Sequence, residues 1–211
     1  RTRDWGIRRY GFHGLSHSYC TTRAAQMLAR PAGELRLVIC HLGHGCSATA
    51  VHRGRSIDTS MGFTPLDGLM MATRSGAVDP GILTHVQLHR GLAPDEIDDA
   101  LNRRSGLLGV SELSADMREV LAARSTDERA RLAVEVYTHR VRQAIGALAV
   151  TLGGVDALVF TAGVGENSPE IRAATCRGLA CLGLELDADA NARSRPDADA
   201  VERISAEIQH V

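Results

Sequence analysis

The chain has 211 residues, of which 44% are hydrophobic, 23% are charged and 3% are aromatic, and its formal net charge is -1 at pH 7. This length suits one large domain or two small ones, and the balanced charge does not favour nucleic-acid binding. No apolar run reaches the about 18 residues of a membrane-spanning helix. Five cysteines without a Cys-x-x-Cys pair argue against a disulfide framework and indicate a reducing, cytoplasmic compartment.

The first third of the chain predicts a helix followed by a hairpin-rich group of strands. Ser16 is a candidate N-cap for a helix that we expect to continue to about Ala29. An apolar run of strand length follows at residues 35–40, and two further strand-length segments at residues 46–52 and 55–59. Arg53-Gly54, between the last two runs, is typical of a tight hairpin turn.

Helices dominate the predictions for the middle of the chain. Asp79-Pro80 has the order of an N-cap and a first helical residue, and Pro94 predicts the start of another helix. The strongest prediction is a helix over residues 127–152, because apolar residues recur there every three or four positions and form one stripe. Gly153-Gly154 is expected to end it.

The last part of the chain alternates strands and helices. Residues 157–161 predict a buried strand, residues 162–167 a loop, and Ser168-Pro169 the start of a helix to about Cys181. We expect a short strand at residues 184–186 and interpret the polar residues 187–211 as the approach to a further strand. The whole pattern predicts an α/β fold with a mixed sheet flanked by helices.

Two glycine-containing turns are candidate phosphate-binding sites. They comprise His41, Leu42, Gly43, His44 and Gly45, and Gly163, Val164, Gly165, Glu166 and Asn167. Glycines let backbone N–H groups approach an anion, and the N-terminus of a helix favours negative charge. Each turn also has a simpler interpretation, the first as a hairpin turn that needs positive φ and the second as an ordinary βα turn.

Three polar clusters are further candidates, each with a simpler alternative. His13 and His17 have the i,i+4 spacing of helical metal ligands, but Gly14 argues against a helix there, so a solvated or capping pair is favoured. Arg74 has small neighbours and could reach a phosphate, or it could lie on a surface turn. Asp116 is most simply the N-cap of a helical stretch.

Five segments together resemble the acetate kinase family. They are Arg-Arg-Tyr-Gly-Phe-His-Gly at 8–14, Cys-His-Leu-Gly-His-Gly at 40–45, Asp-Thr-Ser-Met-Gly-Phe-Thr-Pro-Leu at 58–66, Thr-Arg-Ser-Gly at 73–76 and Phe-Thr-Ala-Gly-Val-Gly-Glu-Asn-Ser at 160–168. All five occur in the order and at the spacing of the family. The resemblance implies the ribonuclease H-like fold of the acetate and sugar kinase, heat-shock and actin group, with residues 1–211 as the second lobe, incomplete at its carboxyl end.

The resemblance also implies roles for individual residues. His13 and Arg74 occupy the positions of a transition-state histidine and a transition-state arginine. The phosphate loop of the family corresponds to His41, Leu42, Gly43, His44 and Gly45. A family segment that lines the nucleotide corresponds to Asp116, Met117 and Arg118. The adenosine loop of the family corresponds to Gly163, Val164, Gly165, Glu166 and Asn167. The implied bound molecules are ATP or ADP, Mg²⁺, and acetate or another short carboxylate. The residues that coordinate the Mg²⁺ are implied to lie mostly outside this chain. The implied assembly is a homodimer.

The sequence departs from the family pattern in two respects. His44 stands where the family usually has an asparagine, and the charge of a histidine depends on pH. The first lobe, which carries the carboxylate site of the family, has no counterpart in these 211 residues, so we expect the chain to be inactive alone. A propionate or butyrate kinase, or a non-catalytic nucleotide-binding or dimerisation module, therefore remain alternatives.

Overall fold

A mixed four-stranded sheet forms the centre of the computed structural model, which describes residues 4–194. Its strands are Arg36–Leu42 (β1), Cys46–His52 (β2), Arg55–Thr59 (β3) and Ala157–Thr161 (β4), in the spatial order β3-β2-β1-β4. β2 is antiparallel to β1 and β3, whereas β4 is parallel to β1. The prediction of a mixed sheet is confirmed, and the first strand extends two residues beyond its expected end.

The β2–β3 connection is the tight turn that the sequence predicts. Arg53 and Gly54 both have positive φ, 52° and 76°. A two-residue hairpin turn with positive φ at both central residues matches the natural twist of the paired strands.

Helices cover both faces of the sheet. In chain order they are Gly14–Met27 (α1), Pro80–Arg90 (α2), Pro94–Arg103 (α3), Gly106–Ser111 (α4), Met117–Ala123 (α5), Glu128–Leu152 (α6), Ala162–Asn167 (α7), Pro169–Cys176 (α8) and Ala188–Arg193 (α9). Alternate residues of β1 point to opposite faces, so Val38 joins the core beneath α6, whereas Leu37 and Ile39 join a smaller core beneath α1. Burial on both faces explains why β1 is a continuous apolar run.

The predicted long helix is confirmed as α6. The Asp127 side chain accepts hydrogen bonds from the backbone N–H groups of Arg129 and Ala130, and Gly153 ends the helix in a left-handed conformation with φ 67°. Its apolar stripe is buried, with Tyr137 and Ile145 almost fully covered. The predicted caps Asp79 of α2 and Asp116 of α5 are also confirmed, since each accepts a bond from the N–H two residues later.

Several predicted boundaries were wrong. α1 begins at Gly14 with His13 as its N-cap residue, because the Ser16 hydroxyl hydrogen-bonds His41 instead of capping the helix. Residues 162–167 form the short helix α7 and not a loop. α8 stops at Cys176, where Gly178 with φ 84° precedes a 3-10 turn at Leu179–Leu182.

The end of the described chain also differs from expectation. Residues 184–186 do not form a ladder strand, although Leu186 makes an isolated bridge. Residues 188–193 form α9, which is capped by the Asp187 carboxylate, so this part of the expected approach to a strand is helical. The remainder of that prediction, residues 195–211, lies outside the described residues.

Candidate active site

The sheet brings the two glycine-containing turns together. β1 and β4 are parallel neighbours, with His41 opposite Thr161 at their carboxyl ends, so the segments that follow both strands emerge at one edge. A Cβ placed on Gly43 would lie 3.5 Å from the Cβ of Ala162, and one placed on Gly165 would lie 3.6 Å from the Cβ of Leu42. The carboxyl edge of adjacent parallel strands is the usual ligand position in α/β proteins.

The first turn is held close to two basic side chains. A Cβ placed on Gly45 would lie 3.2 Å from Nη1 of Arg74 and 3.5 Å from Nε2 of His13. Gly43 and Gly45 are not among the positive-φ residues, so their conformation does not require glycine. The interpretation as a turn that needs positive φ was therefore wrong, and the requirement is space for these neighbours.

His13 reaches this turn from the N-terminus of α1. It has the left-handed φ of 62°, and its ring stacks on His41 with 4.0 Å between ring centroids. Its Nδ1 is 2.9 Å from Oγ of Ser47 on β2. Burial, and then the positive charge of Arg74, lower the pKa of His13. The ring is therefore fixed and favours its neutral form at pH 7.

Two further histidines surround His13. The imidazole of His41 has its Nδ1 2.9 Å from Oγ of Ser16, and burial lowers its pKa to about 4. His17 is only 6% exposed, and its pKa is also lowered to about 4, mainly by burial. The interpretation of His13 and His17 as a solvated pair was wrong for His17, because α1 turns this side chain inward toward Ser47.

Arg74 is half-buried and bonded to neutral groups. Its Nη1 donates to the carbonyl oxygen of Pro65 at 3.3 Å and lies 3.7 Å from Sδ of Met71. Within residues 4–194, no carboxylate forms an ion pair with Arg74. A guanidinium held in this way retains donors for an external anion, because its fork matches phosphate oxygens.

The second turn is braced by its own side chains. Ala162 has φ 66°, and its N–H donates to Oε1 of Glu166 at 2.9 Å. The hydroxyl of Thr161 donates to the same oxygen at 2.8 Å. Buried Arg172 donates through Nη1 to the carbonyl oxygens of Gly165 and Glu166, at 3.0 and 2.6 Å. The left-handed alanine is thus maintained by a local network at a candidate functional turn.

The third predicted segment is not joined to the turns by a described polar contact. Asp116 caps α5, and the Arg118 side chain bonds its carboxylate and lowers its pKa to about 2. Met117 is buried in the main core beneath the sheet. Its side chain therefore serves packing, and a nucleotide contact from this segment would come from Asp116, Arg118 or the backbone.

The described residues do not form a ready-made cluster of metal ligands. Between residues 4 and 194, no group of three or more His, Cys, Asp or Glu side chains is placed to hold a metal ion. The side chains nearest the first turn are histidines and an arginine, whereas Mg²⁺ prefers oxygen ligands. Glu166, the carboxylate of the second turn, is already bonded to Thr161 and Ala162.

Sequence reasoning missed two residues that shape the site, Ser47 and Arg172, and it misjudged the burial of a third, His17. Ser47 has no motif of its own, and it matters because β2 places it beside two histidines. The i,i+4 spacing of His13 and His17 was the available signal, since it puts both side chains on one side of a helix start. Arg172 gave no signal, because an arginine on an amphipathic helix usually faces solvent.

The fold and the edge where the turns meet define an α/β lobe of the group that includes acetate and sugar kinases, heat-shock proteins and actin. Within this group, the chain belongs to the Acetokinase family, whose model matches residues 1–210. It is 56% identical over 197 residues to the acetate kinase of Cyanothece sp. (strain PCC 7425), covering 93% of this chain and 48% of that protein.

Solved structures give the same result. The acetate kinase of Porphyromonas gingivalis superposes with a TM-score of 0.90 at 43% identity, covering 93% of this chain and 49% of that one. A propionate kinase from Francisella tularensis gives 0.85 at 45% identity, covering 90% and 49%. The chain therefore spans about half the length of the relatives it matches. Over the stretch from residue 4 to residue 194, no helix is long and apolar enough to cross a membrane.

Proposed function

We propose that this chain forms the nucleotide-binding lobe of a kinase that transfers the terminal phosphoryl group of ATP to acetate or another short carboxylate, producing an acyl phosphate and ADP. The supporting observation is the convergence of His13 and Arg74 on Gly45, beside the turn at Ala162. Family membership and the names of the relatives, acetate kinases and a propionate kinase, support the same reaction class.

The first turn and its two basic neighbours would hold the reacting phosphates. Phosphoryl transfer asks a protein mainly for positioning and for stabilisation of charge on the moving oxygens. The Arg74 guanidinium supplies a fixed positive charge, and the Nε2 edge of His13 faces the same space. His13 acts as a hydrogen-bond donor in this proposal, and the phosphoryl group moves directly in line without a phosphohistidine. Isolation of a phosphohistidine at residue 13 during turnover would contradict this.

The second turn would contact the adenosine end of the nucleotide. Apart from its chain neighbours and the backbone of its own helix, no heavy atom of the described residues lies within 4 Å of the position that a Cβ on Gly163 would occupy, so this side of the residue is open to a ligand. Asn167 donates to the carbonyl oxygen of Gly163, which fixes this short segment. Asp116 and Arg118 would line the nucleotide from α5, and Mg²⁺ would take its protein ligands from outside the described residues. We further propose a cytoplasmic homodimer.

A second candidate is a nucleotide-binding or dimerisation module without catalysis of its own. The observation in its favour is that the two turns and the basic groups beside Gly45 suit a nucleotide and its phosphates. In this case ATP would bind while the carboxylate site would be absent.

Two measurements separate these functions. Calorimetric titration of ATP into the 211-residue chain is expected to show one site, and the absence of binding would overturn the kinase lobe and the nucleotide-binding module alike, leaving only dimerisation. A hydroxamate assay of acyl phosphate formation on the full-length gene product is expected to show ATP- and acetate-dependent product. ATP binding without product from the full-length gene product would instead support the module.

A further inference from the structure

One buried hydroxyl group connects two of the histidines. Ser47 lies on β2 and is fully buried. Its Oγ is 2.9 Å from Nδ1 of His13 and 2.8 Å from Nε2 of His17. A serine hydroxyl has one hydrogen to donate, so the positions of the protons on the two rings depend on each other.

His17 sets the direction of this network. It is 6% exposed, and its second ring nitrogen, Nδ1, has no hydrogen-bond partner among the described residues. Burial keeps the ring neutral at pH 7, since its pKa is about 4, and a neutral imidazole carries one N–H. A proton on Nδ1 would be a buried donor without an acceptor, which is unfavourable because its hydrogen bond to water is lost and not replaced. The proton therefore belongs on Nε2, where it can be donated to Ser47.

The remaining proton positions follow from the same accounting. If His13 also donated to Ser47, the hydroxyl hydrogen would have no acceptor, because its described partners are the two imidazoles. When Ser47 instead donates to Nδ1 of His13, every buried N–H and O–H of the network is used. His13, as a neutral ring, then carries its proton on Nε2.

The Nε2 edge of His13 is the edge that faces the candidate phosphate loop. A Cβ placed on Gly45 would lie 3.5 Å from this nitrogen and 3.2 Å from Nη1 of Arg74. The stacked ring of His41, fixed in turn by Ser16, keeps the plane of His13 in place. Other charged or titratable groups that act on the cluster are Arg74 on His13 and Glu166 on His41.

We propose that His17 and Ser47 are positioning residues that lock His13 in the tautomer with its proton on Nε2, through the chain His17 Nε2–H to Ser47 Oγ and Ser47 O–H to His13 Nδ1. The lock presents a hydrogen-bond donor, and not a lone pair, to an anion held at Gly45. Its purpose rests on the proposed function, since a lone pair facing a phosphoryl oxygen would repel it. The proton arrangement itself does not depend on that function.

Nitrogen NMR of the histidine rings in the 211-residue chain tests the arrangement directly. Long-range ¹H–¹⁵N spectra distinguish a protonated ring nitrogen from one with a lone pair. In the wild-type chain near pH 7.5, His13 and His17 are each expected to show a protonated Nε2 and an unprotonated Nδ1. A protonated Nδ1 on either ring would overturn the proposal. This measurement needs no variant, so it does not depend on the folding of a mutant.

Two substitutions then test the direction of the network. Ser47→Ala removes the donor to His13, and the two nitrogen shifts of His13, well separated in the wild type, are expected to move toward each other as tautomers mix. His17→Leu should have the same effect, whereas His17→Gln places an amide N–H near the position of Nε2 and should preserve the wild-type pattern. Exposed His139 on α6 is the internal control, and the amide spectrum reports folding.

The outcomes for tautomer and for activity are separable. An unchanged His13 pattern in folded Ser47→Ala and His17→Leu would overturn the positioning role while leaving ATP binding as proposed. In the full-length gene product, His17→Leu should lower kcat by about 10- to 100-fold with little change in KM for ATP, and His17→Gln should recover most of it. Loss of kcat in both variants, with the His13 pattern retained, would also contradict the proposal.

Discussion

The two turns that meet at the carboxyl edge of the sheet are built in different ways. The turn at Ala162–Asn167 is braced locally, because Thr161 and Ala162 bond the side chain of Glu166 four or five residues later. The turn at Gly43–Gly45 is surrounded by side chains from distant parts of the chain. One of them, His13, hydrogen-bonds Ser47, which lies 34 positions later in the sequence. The basic side chains of His13 and Arg74 lie beside the first turn, and the second turn supplies a preformed backbone surface.

This difference assigns separate tasks to the two turns. The second turn is held by local hydrogen bonds, so it keeps its shape without contacts from the rest of the site. This suits a surface that binds a rigid part of a ligand. Charges gathered from distant elements depend on the whole fold, and they can be aimed at a place where charge develops during a reaction. Changes at the first turn should therefore affect chemistry and the binding of the phosphates, and changes at the second should mainly affect stability.

The largest effect is expected at Arg74. Arg74→Ala should lower kcat of the full-length gene product by about 100-fold or more, because it removes a preorganised positive charge from the first turn. Arg74→Lys should recover only part of the rate, since an ammonium lacks the fork of donors. Steady-state kinetics measure both, with exposed Arg90→Ala on α2 as the control. A fall in ATP affinity with kcat intact would remove the catalytic assignment of the first turn.

Arg172 is the corresponding test of the second turn. Arg172→Met should lower the free energy of unfolding by about 3 kcal/mol, because the carbonyl oxygens of Gly165 and Glu166 lose a buried donor, as does Asn191. Urea denaturation of the 211-residue chain measures the loss. Exposed Arg177→Met at the end of α8 is the matched control and should change stability by less than about 0.5 kcal/mol. Equal losses in both variants would show that Arg172 does not brace this turn.

The histidines beside the first turn make stability depend on pH. The pKa of His17 is about 4 in the folded chain against 6.5 for an unperturbed histidine, so the unfolded state binds more protons between these values. Stability is therefore full above about pH 6.5 and should fall as pH decreases toward 4, by roughly 2–3 kcal/mol from His17. Denaturation at several pH values measures the slope. His17→Gln should remove the His17 share of this slope and leave that of His41, whose pKa is also about 4, and an unchanged slope would contradict the His17 contribution.

The glycines of the two turns should differ in tolerance. Gly45→Ala places a Cβ 3.2 Å from Nη1 of Arg74, whereas Gly163→Ala places one where no heavy atom lies within 4 Å. In Gly45→Ala, the displacement of Arg74 should weaken ATP binding by up to about tenfold, or 1.4 kcal/mol. Calorimetry on the 211-residue chain measures this, with Gly33→Ala, also free of neighbours, as the control. A larger loss in Gly163→Ala than in Gly45→Ala would reverse the proposed order.

The contrast between local and distant contacts also explains which features could be predicted from the sequence. Features that depend on a few adjacent residues were predicted correctly, such as the Asp116 cap, the Gly153 stop and the Arg53-Gly54 turn. The start of α1 was not, because the left-handed conformation of His13 accompanies contacts with Ser47 and His41, which lie far along the chain.

The candidate site shows this dependence on distance as well. The two turns and Arg74 were candidates from their residue types, the family resemblance gave them and His13 specific roles, and the described contacts bring these elements together. Ser47 could not be proposed, since a serine within a strand carries no motif and its partners, His13 and His17, lie at the start of α1. Residue roles that arise from the packing of a helix on a strand require the fold.

The smallest expected effect concerns His44, the residue of the first turn that departs from the family pattern. Its side chain is exposed, while its backbone oxygen accepts a bond from the Ala72 N–H at 3.1 Å, which holds the turn near Arg74. His44→Asn should leave this backbone bond intact and supply a neutral amide donor at every pH. We expect ATP affinity to rise by up to about fivefold, since one net hydrogen bond contributes about 1 kcal/mol. Calorimetry at pH 7.5 measures the change in ATP affinity, and His52→Asn at the far end of β2 is the control. An unchanged or weaker affinity would show that residue 44 does not contact the phosphates.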